Sequence, residues 1–294
     1  MTNLEENAML IHLTIKMWEG IKTDKQISEE TCIRYEADKD AARVMKKLLD
    51  RTGAYQQLFK IKNEARTYHY DHTLAWEHKG SCLLPVKLHD EYCREMNNFK
   101  NDFDANILKF KDEYIEAVKD VKERMGGMFK ETDYPPSDLI CSKFEFSIKM
   151  LPLPTNDIRL NLSQDQIDEI KSDLEQKYKD AMVNATNDIK DRLTEVLSKF
   201  KNKILEKDSD GKYKTFRDSL MGNVAELIDI VPLLNLSDDK KLNDLATSIK
   251  NSLCEKFELK KIRGDKKEPK TDEEREKAAK TVDDLLKKVS NYKI

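Results

Sequence analysis

The chain has 294 residues, a net charge of −3 and a mean hydropathy of −0.75; 37% of its residues are Asp, Glu, Lys or Arg. That length supports one large or two modest domains with a real core. The near-balanced charge excludes an obligate nucleic-acid coat, although it says nothing of local basic patches.

Gly and Pro are scarce, at 8 and 7 residues. Long helices require this, because each interior Gly or Pro costs roughly 1 or 3 kcal/mol of helix stability. The expected fold class is mainly α with a small β-sheet (α+β), carried by long amphipathic, coiled-coil-like helices. Five widely spaced cysteines form no disulfide framework and fit a reducing compartment. The first apolar run is short and interrupted by His12, Thr14 and Lys16, so it reads as neither signal peptide nor membrane span. A cytosolic, soluble protein with no membrane partner is expected.

In chain order, Ile11, Leu13, Ile15 and Met17 alternate with His12, Thr14, Lys16 and Trp18, which predicts a strand closed by Gly20. Ser28 is placed to cap a helix to about Asp50, "RTG" stops it, and a second helix follows to about Ala65. "HTLAWEH", "KGS" and "CLLPV" read as a hairpin turning at Gly80, with Pro85 at an edge or strand end.

From Lys87 the period becomes helical: Leu88, Tyr92, Met96, Phe99, Phe103, Ile107, Phe110, Tyr114, Val118, Val121 and Met125 recur at three and four, up to Gly126. A helix over 87–125 would span roughly 55–60 Å. "KFEFSIKMLPLP" alternates again and predicts another strand. Ser163-x-x-Gln166 is a capping box opening the longest helix, over 163–206, with a seam from Ile167 through Ile170, Leu174 and Tyr178 to Ile204. Further helices are predicted from Tyr213 to Ile230, broken at Val231-Pro232, and from a Ser237 cap to about Phe257. A polar linker near 258–270 leads to a short last helix capped by Thr271. The expected organisation is a mixed module over 1–155 and an all-helical region over 156–294.

Chemistry-bearing residues concentrate in "YHYDHTLAWEHKGSCLLPVKLHDEYC", which holds four of the five histidines. His72 and His78 on one strand would lie about 20 Å apart, too far to share a metal. CxxC knuckles and an HExxH motif are missing, so only His89 and Cys93, one helical turn apart, keep a claim as ligands. No GxSxG, catalytic-cysteine signature or phosphate loop occurs. No cofactor and no enzymatic activity are expected.

A second candidate is the interleaving of Lys46, Lys47, Arg51, Lys60, Lys62 and Arg66 with Tyr55, Tyr68 and Tyr70. Cations for phosphates and rings for stacked bases are what single-strand binding needs. The competing reading is an amphipathic helix with Tyr55 in the core and lysines on its wet face.

"LTIKMWEGIK", "TLAWEHKGSCLLPV" before a long helix, and "DYPP" followed by "KFEFSIKMLPLP" resemble an uncharacterised domain family of bacteria and their phages, of the kind encoded beside MoxR-type AAA+ ATPases. The resemblance covers the N-terminal half. It implies a phage or bacterial accessory protein with a long helical region, and it carries over no functional residue. The expected function is non-enzymatic: protein–protein contact and self-association as a homo-oligomer, with single-stranded DNA binding or annealing as the alternative.

Overall fold

The computed structural model describes residues 4–76, 80–157, 161–217, 219–257, 262 and 271–292. The protein is mainly helical with a small antiparallel sheet, and its elements gather into two compact units that are each discontinuous in sequence.

The first unit comprises Met1–His12, His72–Asp90 and Met150–Ile294. Its described residues contain α1 (Leu4–Asn7), the start of β1 (Ala8–Lys16), β4 (Leu74–Ala75), β5 (Cys82–Pro85) and four longer helices. The predicted pairing is present with a first strand of only two residues: Leu74 and Ala75 pair with Leu83 and Cys82. Residues 77–79 lie outside the described residues, and β5 pairs on its other side with β1, from Ala8↔Pro85 to Ile11↔Cys82. Pro85 therefore sits at a strand end, where its missing N–H breaks no ladder.

The helices are α5 (Gln164–Ile204), α6 (Ser219–Leu234), α7 (Lys240–Ile249) and α8 (Thr271–Asn291). The Ser163 capping box forms on α5, with the Ser163 hydroxyl accepting from Gln166 N and the Gln166 side chain accepting from Ser163 N. The C-terminal half of α5 buries Ala185, Ile189, Leu193, Leu197, Phe200 and Ile204, and α5 packs on α6 and α8.

Three predictions here need correction. Pro232 lies inside α6 rather than breaking it. Its lost hydrogen bond falls in the last turn and is outweighed by the buried stripe Val224, Ile228, Val231 and Leu234. α7 is capped by Asp239, which accepts from Lys241 N, while the Ser237 hydroxyl bonds Asn235. The last helix is long, at 21 residues. The predicted linker near 258–270 lies outside the described residues except Ile262, which is buried.

The second unit comprises Leu13–Asp71 and Glu91–Lys149. It holds β2 (Ile21–Asp24), α2 (Lys25–Arg34), β3 (Val44–Lys47), α3 (Gly53–Asp71), nearly all of α4 (His89–Met125) and most of β6 (Glu145–Leu151), which borders β1. The helix predicted from Ser28 to Asp50 is not formed. α2 is ten residues long and capped by Asp24, whose Oδ1 accepts from Ile27 N at 3.2 Å. Beyond Arg34, Ala37, Ala41, Val44 and Leu48 do repeat at helical spacing, but Tyr35 is 75% exposed, and Lys46 and Leu48 are buried from a returning extended segment rather than from a continued helix. The chain instead reverses through Glu36 (φ 52°) and returns as β3.

α3 extends to Asp71 rather than to Ala65, because its seam of Ala54, Leu58, Ile61 and Ala65 continues into buried His69. The His69 Nδ1 lies 2.7 Å from the Tyr92 hydroxyl of α4. The α4 seam is buried as its period predicted, but its partners are not those of a coiled coil. Phe110 stacks on Tyr55 of α3 at 4.8 Å, and Phe103 meets Phe146 of β6 at 5.6 Å. Large rings in the seam match the wide gap to a strand and a crossing helix better than the narrow holes of a paired helix.

Candidate functional site

The basic and aromatic segment from Lys46 to Tyr70 divides between surface and interior. Lys46 is buried: only 3% exposed, its Nζ lies 2.5 Å from Asp133 Oδ2, 3.0 Å from Asp24 Oδ2 and 3.3 Å from the Met128 carbonyl. Lys22 bonds the other Asp133 oxygen at 2.7 Å. Burial works against charge on Lys46, but the two carboxylates outweigh it and hold its pKa above the ordinary lysine value. Burial likewise opposes the Asp133 charge, and Lys22 with Lys46 overcomes it; Asp24 is held low chiefly by its hydrogen bond from Lys46.

Tyr55 is also interior. Its hydroxyl donates to the Trp18 carbonyl at 2.8 Å, and its ring is sandwiched among Trp18, Phe59 and Phe110. Tyr68 is half-buried with its ring 6.0 Å from those of Tyr92 and Phe99, and burial pushes its pKa up to about 12. Arg51 lies 3.6 Å over Phe59, and both it and Lys62 pair with Glu19. Lys60 pairs loosely with Glu64, Arg66 reaches the Ile15 carbonyl at 3.4 Å, and Lys47 and Tyr70 are exposed. Of the three tyrosines named for base stacking, Tyr70 alone presents an open ring. Of the predicted interface, Tyr55 belongs to the core of the second unit, and Lys46 cannot reach a phosphate.

The histidine-rich stretch is dispersed in the same way. His69 is in the core, His89 Nδ1 lies 2.8 Å from Asp90 Oδ1, Cys93 is half-buried one turn further along α4, and His78 lies outside the described residues. Among the described residues no three His, Cys, Asp or Glu side chains are placed to hold a metal ion.

Two other surfaces are more distinctive. On α5, Ile170 is 40% exposed and Ile167 and Leu174 are half-exposed, while further along the same helix Ala185, Ile189, Leu193, Phe200 and Ile204 are buried. The Tyr178 ring lies 6.0 Å from that of Trp76, so the uncovered part of the seam is the two turns from Ile167 to Leu174. In the second unit, the β2–β3 ribbon presents Ile21 (44% exposed) and Met45 (60% exposed) beside a cavity of about 400 Å³ lined by Glu19, Ile21, Lys47, Leu49, Asp50 and Arg51. The signal for the first was the continuous seam; the second had none, because "IKTD" and "VMKK" lack apolar alternation.

The fold defines a mainly α protein whose small sheet is antiparallel, with no helix among the described residues long and apolar enough to cross a membrane. Compared with known proteins, the chain matches no protein-family model, no curated protein and no solved structure.

Proposed function

We propose that the protein works through protein–protein contacts without catalysing a reaction, and that it self-associates through the N-terminal half of α5. Such a role fits the phage or bacterial accessory protein that the N-terminal resemblance implies. The supporting observation is the uncovered seam of Ile167, Ile170 and Leu174, on a helix whose remaining seam is packed. Burying an apolar side chain of this size is worth roughly 1.5–3 kcal/mol, which favours a partner over water. A second copy suits the charge order: Asp165, Asp168 and Glu169 lie in the first turns, and Lys177 and Lys179 lie two to three turns later. An antiparallel copy brings the acidic turns against the lysines.

Light scattering at two concentrations tests this. The wild-type chain is expected to gain mass with concentration, and the double variant Ile170→Asp with Leu174→Asp is expected to remain a monomer with an unchanged circular dichroism spectrum. A wild-type protein that is a strict monomer at high micromolar concentration would overturn the reading. Single-stranded DNA binding is the alternative, and it rests on exposed Lys47, Lys60, Arg66 and Tyr70. Titration with a labelled single strand separates the two, since phosphate contacts require affinity to fall steeply with salt.

A further inference from the structure

We propose that the outer edge of β3 is a docking site for an extended acidic peptide segment of another protein, which adds to the β2–β3 ribbon as a third strand. The register carries the argument. β2 and β3 pair antiparallel as Ile21↔Lys47, Lys22↔Lys46, Thr23↔Met45 and Asp24↔Val44, and Leu48 N donates to the Gly20 carbonyl at 2.7 Å. In an antiparallel ladder, residues alternate between bonding the partner strand and facing away from it. The Leu48–Gly20 bond therefore turns Lys46 inward and leaves the N–H and C=O groups of Met45 and Lys47 facing outward. Val44 N agrees with this phase, since it points inward and donates to the Ser28 hydroxyl at 2.9 Å.

No third strand joins this sheet among the described residues. The outward groups of Met45 and Lys47 have the spacing that a strand-adding peptide requires. The edge is also held in place, because Lys46 fixes the opposite face of β3 to Asp24 and Asp133. Exposed Ile21 and Met45 lie on the open face, and the neighbouring cavity beside Ile21 and Lys47 can take a side chain of the added strand.

Charge decides the occupant. Arg43 and Lys47 bracket the exposed part of the strand, and no acid lies between them. A second copy of β3 would set lysine and arginine against their own kind, and like charges directly opposite are destabilising. An acidic strand pairs with them. This surface is separate from the α5 seam, so either proposal can fail alone.

The test uses the full-length protein and a labelled synthetic heptapeptide of alternating Glu and Val. Binding that weakens with salt is expected, together with new hydrogen-exchange protection at the amides of Met45 and Lys47. Met45→Pro removes one outward N–H while leaving the inward ladder intact, and is expected to weaken binding about tenfold, as loss of one well-made hydrogen bond allows. Lys47→Glu, a surface change that leaves the backbone untouched, is expected to weaken binding of the acidic peptide by a similar factor. Thr23→Pro, on the opposite edge, is expected to leave it unchanged. The proposal is overturned by no binding at millimolar peptide, by equal affinity for wild type and Lys47→Glu, or by protection that appears elsewhere.

Discussion

Replacing Arg275 with alanine is expected to destabilise the first unit by about 4 kcal/mol, since it leaves several buried carbonyl groups without donors at roughly 1–3 kcal/mol each. Arg275 is 1% exposed, and its guanidinium donates to the carbonyls of Ile262 at 2.7 Å, Ile204 at 2.9 Å and Lys214 at 3.0 Å. Ile204 is the last residue of α5, so one of these bonds satisfies a terminal helix carbonyl and sets a positive charge at the negative end of the helix dipole. The rings of Tyr213 and Phe216 lie 5.1 and 5.2 Å from the guanidinium carbon.

Burial pulls the Arg275 pKa below its usual value, yet an arginine stays charged far above neutrality, so these bonds persist at any working pH. Arg275→Lys is the sharper variant. It keeps the charge, but a single ammonium cannot match three carbonyls that converge from different segments, and it has no flat face for the two rings. Urea denaturation followed by circular dichroism is expected to show a loss of about 2 kcal/mol for Arg275→Lys, smaller than for alanine. A lysine variant as stable as the wild type would show that packing of the side-chain stem, and not the fork of donors, ties these segments together.

The contrast between Arg275 and the long seams shows what a linear sequence makes legible. The seams of α4 and α5 repeat every three or four residues over many turns, and the Ser163 box is a local pattern, so both could be read directly. So could β1 and β6, whose apolar residues alternate. Arg275 sits in "TDEEREK", where its neighbours are solvated charges, and nothing local marks it as the one that turns inward. Its partners lie 13, 61 and 71 residues away in sequence. Pro232 misled for the opposite reason: a local breaking signal was overridden by the apolar stripe around it.

The candidate interface was legible only in half. The rule that lysines and aromatics together bind single strands holds for side chains that share an open face. Tyr55 and Phe59 have helical spacing, and the core meaning of that spacing prevailed: both rings are buried against each other. The short β2–β3 ribbon was hidden because four-residue strands rich in lysine carry no periodic signal. A helix prediction across 28–50 followed from Ser28 and from residues with good helix propensity. Propensity gave way to an ion cluster that only the returning strand can close.

That cluster yields the second large effect. Lys46→Met is expected to destabilise the second unit by about 3–5 kcal/mol at neutral pH, as removal of one partner from a buried ion pair does. The pH dependence distinguishes this from a simple packing defect. In the wild type, Asp24 and Asp133 have folded pKa values below the ordinary 3.8, so their stabilising contribution is present above that value and is lost as pH falls through the folded ones. Lys46 has a folded value above 10.5, so its contribution is complete below 10.5 and is lost only as pH rises through the folded value.

With methionine at this position, Asp24 faces an apolar neighbour and Asp133 keeps Lys22 alone. Losing Lys46 removes the largest influence holding the Asp24 carboxyl low, while the bond from Ile27 N still outweighs burial, so its folded pKa moves up toward the unfolded value and its contribution shrinks. The wild type then has more carboxylate stabilisation to lose on acidification, so the stability gap between variant and wild type is expected to be widest near pH 7 and to narrow as pH falls toward about 3. Asp24→Asn separates the two duties of that carboxylate: the amide oxygen can still accept from Ile27 N and cap α2, while the pairing with Lys46 is lost. A gap that stays constant from pH 7 to about pH 3 would mean that Lys46 contributes through its aliphatic stem, and that the charges on Asp24 and Asp133 are satisfied without it.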